Sequence, residues 1–104
     1  MKAFAITGLK ETSFVDLAEP ELKAGEVKLE IKYIGYCGSD LNTYRGFNPQ
    51  VKLPRIPGHE ISAVIVEKGA GVPDAWRIGQ AVTGSPYTNC GLCSSCLKGR
   101  PNCC

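Results

Sequence analysis

Cysteine carries the first chemical signal in this chain. The stretch from Tyr87 to Cys104 reads Y-T-N-C-G-L-C-S-S-C-L-K-G-R-P-N-C-C. Cys90, Cys93 and Cys96 stand three positions apart, and Cys104 follows after seven intervening residues. A backbone turning tightly over C-x2-C-x2-C can aim three thiolates at one point, and a returning loop can deliver a fourth. Four sulfurs in that arrangement suit zinc, which takes four-cysteine sites with Zn–S bonds of about 2.3 Å. Gly91, Gly99 and Pro101 permit the chain reversals required.

Two other readings of the same residues stand beside zinc. An even cysteine count is compatible with disulfides, although cysteines three apart in a short loop bridge each other poorly. An iron–sulfur cluster is the other, because C-x2-C-x2-C opens a ferredoxin run. That run continues x3-C-P, whereas this one continues x7-C. Cys103 competes with Cys104 for the fourth position.

A second constellation is Cys37-Gly38-Ser39-Asp40 together with Gly58-His59-Glu60. Taken singly, each has a plain structural reading. A cysteine after a strand is commonly buried filler, and a histidine beside a glutamate is commonly a surface pair. Yet His59 is the only histidine, and the Pro57-Gly58 turn before it can fix its direction. A thiolate and an imidazole are two ligands of a catalytic zinc, which takes three protein ligands and keeps a position open. Asp40 can accept a hydrogen bond from the other ring nitrogen of His59. Ser39 can pass a proton between a bound substrate and solvent.

The elements that must position these groups can be read from the pattern. Residues 1–6 predict a first strand, and Ser13 to Leu17 its hairpin return. Val27, Leu29, Ile31 and Tyr33 alternate with Lys28, Glu30 and Lys32, so 26–34 predicts a strand with one apolar and one charged face. Ser39 or Asp40 caps a short helix running towards Tyr44. Asn48 to Gly58 is a loop, because Pro49, Pro54 and Pro57 exclude a long regular element. Ile61 to Glu67 is apolar on both faces and predicts a central strand. Gly69-Ala70-Gly71 followed by Val72-Pro73 reads as a turn, not a dinucleotide fingerprint. Ala81 and Val82 form a further short strand. Short strands, turn signals and little helical periodicity predict a mainly β fold, a small β-barrel with short helices and a cysteine lobe over about 87–104.

Composition narrows the partners. A chain of 104 residues with 43% hydrophobic and 21% charged residues reads as one globular domain, 1–104. Net charge of +2 argues against nucleic acid or an anionic membrane as partner. Lys98 and Arg100 are too few for a phosphate track in the lobe. No apolar run reaches the roughly 18 residues of a membrane span, and Met1-Lys2-Ala3-Phe4 does not open a signal peptide. Six cysteines in such a chain point to a reducing, cytoplasmic compartment and to metal.

The joint order and spacing of Cys37-Gly-Ser-Asp40, Gly58-His-Glu60 and Cys90-x2-Cys93-x2-Cys96-x7-Cys104 resemble one family over essentially the whole chain. The chain resembles the N-terminal, GroES-like catalytic domain of zinc-dependent medium-chain alcohol dehydrogenases. C-G-S-D-L and the following Y-R-G are most similar to the polyol (sorbitol-like), sugar-alcohol phosphate and threonine dehydrogenase branch. The resemblance implies that Cys37 and His59 are catalytic-zinc ligands and that Glu60 is a neighbouring, alternative ligand. Ser39 then holds the proton-relay position, and Asp40 partners His59. Cys90, Cys93, Cys96 and Cys104 hold a structural zinc. A small-molecule alcohol or polyol binds the open zinc position and, as alkoxide, passes hydride to NAD(P).

Four departures stand out. Asn42 occupies a position where many relatives carry a histidine of the relay. Gly79-Gln80-Ala81-Val82 replaces G-D-x-V, and Cys103 replaces an aliphatic residue. Members of the family also continue into a Rossmann domain that binds the dinucleotide and dimerises, and they supply a further zinc ligand. The expectation is therefore a catalytic-domain fragment, inactive alone, of a homo-oligomeric enzyme. The competing expectation is a stand-alone zinc-binding interaction module without catalysis.

Overall fold

The computed structural model describes residues 1–104. β1 (Lys2–Gly8) and β2 (Glu11–Asp16) form an antiparallel hairpin. Phe4 pairs with Phe14 across it, and their rings meet edge to face at 5.8 Å. β3 (Val27–Gly35), β4 (Glu60–Lys68) and β5 (Ala81–Val82) make a second, antiparallel sheet with β4 in the centre. Between β3 and β4 lies α1 (Gly38–Arg45), and the cysteine lobe carries α2 (Ser94–Leu97) and a 3-10 turn at Pro101–Cys103. No helix is long and apolar enough to cross a membrane.

The fold is mainly β with short helices, as the pattern predicts, but its strand pairing does not close a barrel. The strands form a two-stranded and a three-stranded sheet, and an isolated bridge, where Ile6 exchanges both backbone hydrogen bonds with Arg55, ties β1 to the loop before β4. The prolines that keep 48–58 irregular leave no strand long enough to join the sheets along their length. The small core draws on both sheets. Ala5 and Ile6 of β1 and Ala63 and Ile65 of β4 are buried, Ile65 completely.

β3 departs from simple alternation. Register irregularities fall between Lys28 and Leu29 and between Ile31 and Tyr33. Each disturbs the pairing and re-aims the side chains beyond it. Tyr33, predicted to share the apolar face with Val27 and Leu29, is instead 78% exposed. The radius of gyration is 16.3 Å, against about 13 Å for a compact domain of this length.

Candidate functional site

The register of β3 and β4 brings the two predicted loops together. Gly35, the last residue of β3, pairs with Glu60, the first of β4. In an antiparallel pair, the chain leaving one strand and the chain entering the other emerge at the same end. Cys37 therefore lies two residues beyond that end and His59 one residue before it. Their side chains meet, with Cys37 Sγ 3.4 Å from His59 Nε2.

Cys37 also starts α1. Sequence reasoning expects Ser39 or Asp40 as the cap; the structure gives that role to Cys37. Its Sγ accepts from the Ser39 N–H, and Asp40, at the third helical position, accepts from the Cys37 N–H at 3.1 Å. This is a capping box with sulfur in place of the usual hydroxyl. Cysteine is not among the side chains that ordinarily signal a cap, so the sequence pattern points two or three residues too late. The arrangement fixes the thiol direction at the strand-to-helix corner. Gly46 closes the helix in the left-handed region, with φ of 79°.

Asp40 does more than face His59. Its other oxygen accepts from the Gly58 N–H at 3.2 Å, so one carboxylate ties the Cys37 turn to the His59 turn. The expected bond to the second ring nitrogen of His59 is long, at 3.8 Å between Nδ1 and Oδ2. That carboxylate oxygen is already held by a backbone N–H. The Asp40–Gly58 bond has no short-range signal in the sequence, because its partners lie eighteen positions apart. Ser39 Oγ stands 3.0 Å from Cys37 Sγ, within reach of whatever the thiol binds.

Cys37, Asp40 and His59 bring one ligand atom each within 4.8 Å of one another. Glu60 is not in this group. Its carboxylate lies over Gly35, 2.8 Å from where a Cβ would sit, because pairing with Gly35 turns it to the sheet face. Glu60 thus stands outside the trio of ligand atoms, while lining the same cavity as His59.

Cys90, Cys93, Cys96 and Cys104 form the second group, also with all ligand atoms within 4.8 Å. Cys93–Cys96, Cys90–Cys104 and Cys90–Cys96 sulfurs are 3.5, 3.7 and 4.0 Å apart. A tetrahedral ion with bonds of about 2.3 Å spaces its sulfurs by about 3.8 Å. The cage thus fits a single ion and leaves no room for a multi-iron cluster. All six cysteines are free. Cys104 occupies the fourth corner; Cys103 points to Asn102.

Gly91 and Gly99, with φ of 70° and 71°, make the two reversals that fold the lobe on itself. The lobe's electrostatics favour anionic sulfur. N–H groups of Leu92, then Cys93, point at Cys90 Sγ, and its pKa is pushed down to about 6. A backbone hydrogen bond from Cys96 lowers Cys93 as well. Burial raises Cys96. The donor set and spacing fit zinc, with Cys90 held ready as a thiolate.

Known proteins share this plan. Residues 23–104 match the family described as the alcohol dehydrogenase GroES-like domain. An uncharacterized zinc-type alcohol dehydrogenase-like protein of Haemophilus influenzae is 39% identical over 104 residues, covering all of this chain and 30% of that protein. A sorbitol dehydrogenase of Halalkalibacterium halodurans is 42% identical over 107 residues, covering all of this chain and 31% of its own length. Among solved structures, the alcohol dehydrogenase RspB of Escherichia coli, complexed with NADH, superposes with a TM-score of 0.86 at 40% identity. That match covers all of this chain and 30% of the other. The chain thus spans about 30% of the length of these relatives, and by its sequence match and its two-sheet fold it belongs to the alcohol dehydrogenase GroES-like domain family.

Proposed function

We propose that this chain is the metal-holding catalytic domain of a zinc-dependent, NAD(P)-linked dehydrogenase acting on an alcohol or polyol. The observation that carries the reading is the 3.4 Å approach of Cys37 Sγ to His59 Nε2, with the Ser39 hydroxyl alongside. Cys37 and His59 would hold a catalytic zinc, and Cys90, Cys93, Cys96 and Cys104 a structural one. Zinc at the first site supplies Lewis acidity that makes an alcohol easier to deprotonate.

The chain's own residues do the rest. Asp40 holds both ligand-bearing turns through backbone N–H groups. Ser39 Oγ, on the exposed first turn of α1, takes the alcohol proton and hands it outward. Asn42 cannot titrate, so the proton passes from Ser39 to water rather than through a second side chain. Dinucleotide binding, the remaining zinc ligand and homo-oligomer contacts are assigned to the additional length that the relatives have. A cytoplasmic location belongs to the same proposal, supported by six free cysteines. A stand-alone zinc-binding module would require the four-cysteine cage alone and would have no use for Cys37 beside His59.

The test is NAD(P)-dependent alcohol oxidation by the chain carried at the length of its relatives, with zinc counted in parallel. Cys37→Ala or His59→Ala abolishes activity and empties one site. Ser39→Ala lowers turnover about 10²-fold or more and leaves the zinc content intact. The 104-residue chain alone oxidises no alcohol. Full activity after His59→Ala, or oxidation by the short chain, would overturn the proposal.

A further inference from the structure

The β1–β2 hairpin grips the chain on both sides of the Cys37–His59 pair. The ring of Phe4 meets that of Tyr36, the residue before Cys37, edge to face at 6.2 Å. Ile6 and Arg55 exchange N–H to carbonyl bonds of 2.8 and 2.9 Å, and Arg55 lies shortly before His59. At the hairpin turn, Leu9 packs over Gly46, with its Cδ2 2.7 Å from where a Cβ would sit. Beside it, the Lys10 N–H donates to the Tyr44 carbonyl at 2.8 Å.

The helix that carries Cys37 and Ser39 needs such a hold. α1 has eight residues, of which only Thr43 is buried. A helix that short does not sustain itself, and the carbonyls of its last turn need partners from outside the helix. The Lys10 N–H supplies one, in the one backbone hydrogen bond that joins α1 to a distant part of the chain. Lys10 takes a left-handed conformation to make it, with φ of 60°, alone among the non-glycine residues. A strained residue of this kind persists where its surroundings over-determine it.

We infer that the β1–β2 hairpin, through Lys10 and Phe4, is a positioning clamp that sets the approach of Cys37 to His59 for metal. The inference rests on the reading of those two residues as metal ligands. Asp40 ties their turns directly, whereas the hairpin holds the segments that carry them, α1 at its C-terminal end and the approach to His59 at Arg55. One hairpin makes both grips, so α1 and the Arg55–His59 segment keep a fixed relation.

The test is a cobalt titration of the chain carried at the length of its relatives, as wild type, Lys10→Pro, Lys10→Gly and Phe4→Leu. The absorption spectrum of cobalt at Cys37 and His59 is recorded, and amide exchange in β4 checks that the fold stands. Proline removes the N–H and cannot take a positive φ, whereas glycine keeps both. Wild type is expected to bind two ions. Lys10→Pro is expected to weaken the ion at Cys37 and His59 about 10-fold and to shift its spectrum, while the four-cysteine site keeps its affinity. Lys10→Gly is expected to match wild type. Phe4→Leu, which deletes one ring contact, is expected to weaken the same ion about 2- to 10-fold. A merely structural hairpin would lower stability and leave affinity and spectrum alone; that result in folded Lys10→Pro and Phe4→Leu overturns the inference. Where Lys10→Pro loses the β4 protection, Phe4→Leu alone decides. A wild type that takes up only one ion overturns the metal reading of Cys37 and His59, and this inference with it.

Discussion

Replacing Gly58 with alanine should damage the site from beneath. Gly58 sits at φ of +98°, where an L side chain is strained by about 1–2 kcal/mol. A Cβ there would also overlap Ile34 Cγ2. Ile34 is β-branched and stiff about χ1, so its methyl group cannot simply swing aside. Overpacking of this kind costs about 1–3 kcal/mol. The sum, about 2–5 kcal/mol, is a large part of the roughly 5–15 kcal/mol that holds a domain together. Gly25 provides the control. It has a φ of +77° but nothing within 4 Å of its Cβ position, so Gly25→Ala should show only the backbone part. Urea denaturation of the zinc-loaded chain measures both, and Gly58→Ala should lose at least about 1 kcal/mol more than Gly25→Ala. Ile34→Ala combined with Gly58→Ala should recover that excess. Equal losses in the two single variants would refute the steric argument.

Further expectations concern the two metal clusters. Dialysed chain should retain one zinc per molecule, with any second zinc removed by mild chelation; elemental analysis finding none, or iron, would contradict the cage geometry. Cys93→Ala should remove amide protection from 88–104 while β1 to β4 keep theirs, as read by hydrogen exchange. Asp40→Ala should weaken metal binding at Cys37 and His59 about 10- to 100-fold, because both turns lose their tie, while the four-cysteine site keeps its metal in a cobalt titration. In metal-free chain, Cys90 should be alkylated rapidly at pH 7 and slowly below about 6. The sign comes from its lowered pKa. The folded chain favours the thiolate, so that contribution to stability is full above the ordinary thiol range and fades as pH falls through about 6. Alkylation mapped by mass spectrometry that tracks an ordinary thiol near pH 8.5 instead would refute the role of the Leu92 and Cys93 N–H groups, roughly the unperturbed cysteine value being the mark.

Much of this architecture is legible along the chain because its signals are local. The apolar run 61–67 marks the central strand, and the spacing of Cys90, Cys93 and Cys96 marks a cage that short turns alone can close. What escapes is set by distance or by exception. Nothing near Asp40 announces Gly58 as its partner. The irregularities in β3 that turn Tyr33 outward depend on how β4 pairs with it. A sulfur as helix cap breaks the usual preference, so α1 begins earlier than expected. Glu60 matches the family motif in sequence, and only its pairing with Gly35 shows that its carboxylate lies over that residue, outside the Cys37–Asp40–His59 trio.

The meeting of Gly35 with Glu60 has an engineering consequence. Cys37 and His59 are juxtaposed by strand register and by Asp40, not by the length of chain that connects them. That connection is anchored at the Arg55–Ile6 bridge and passes through a local turn at Asn48, whose side chain and carbonyl accept from Gln50 and Val51. Residues added at Gln50 therefore lengthen a surface excursion and leave both ends where they are. Doubling such a loop costs only about 0.6 kcal/mol in closure entropy. The tip at Asn48 to Val51 is the natural place to graft a tag, a reporter or a recognition loop without moving the metal ligands.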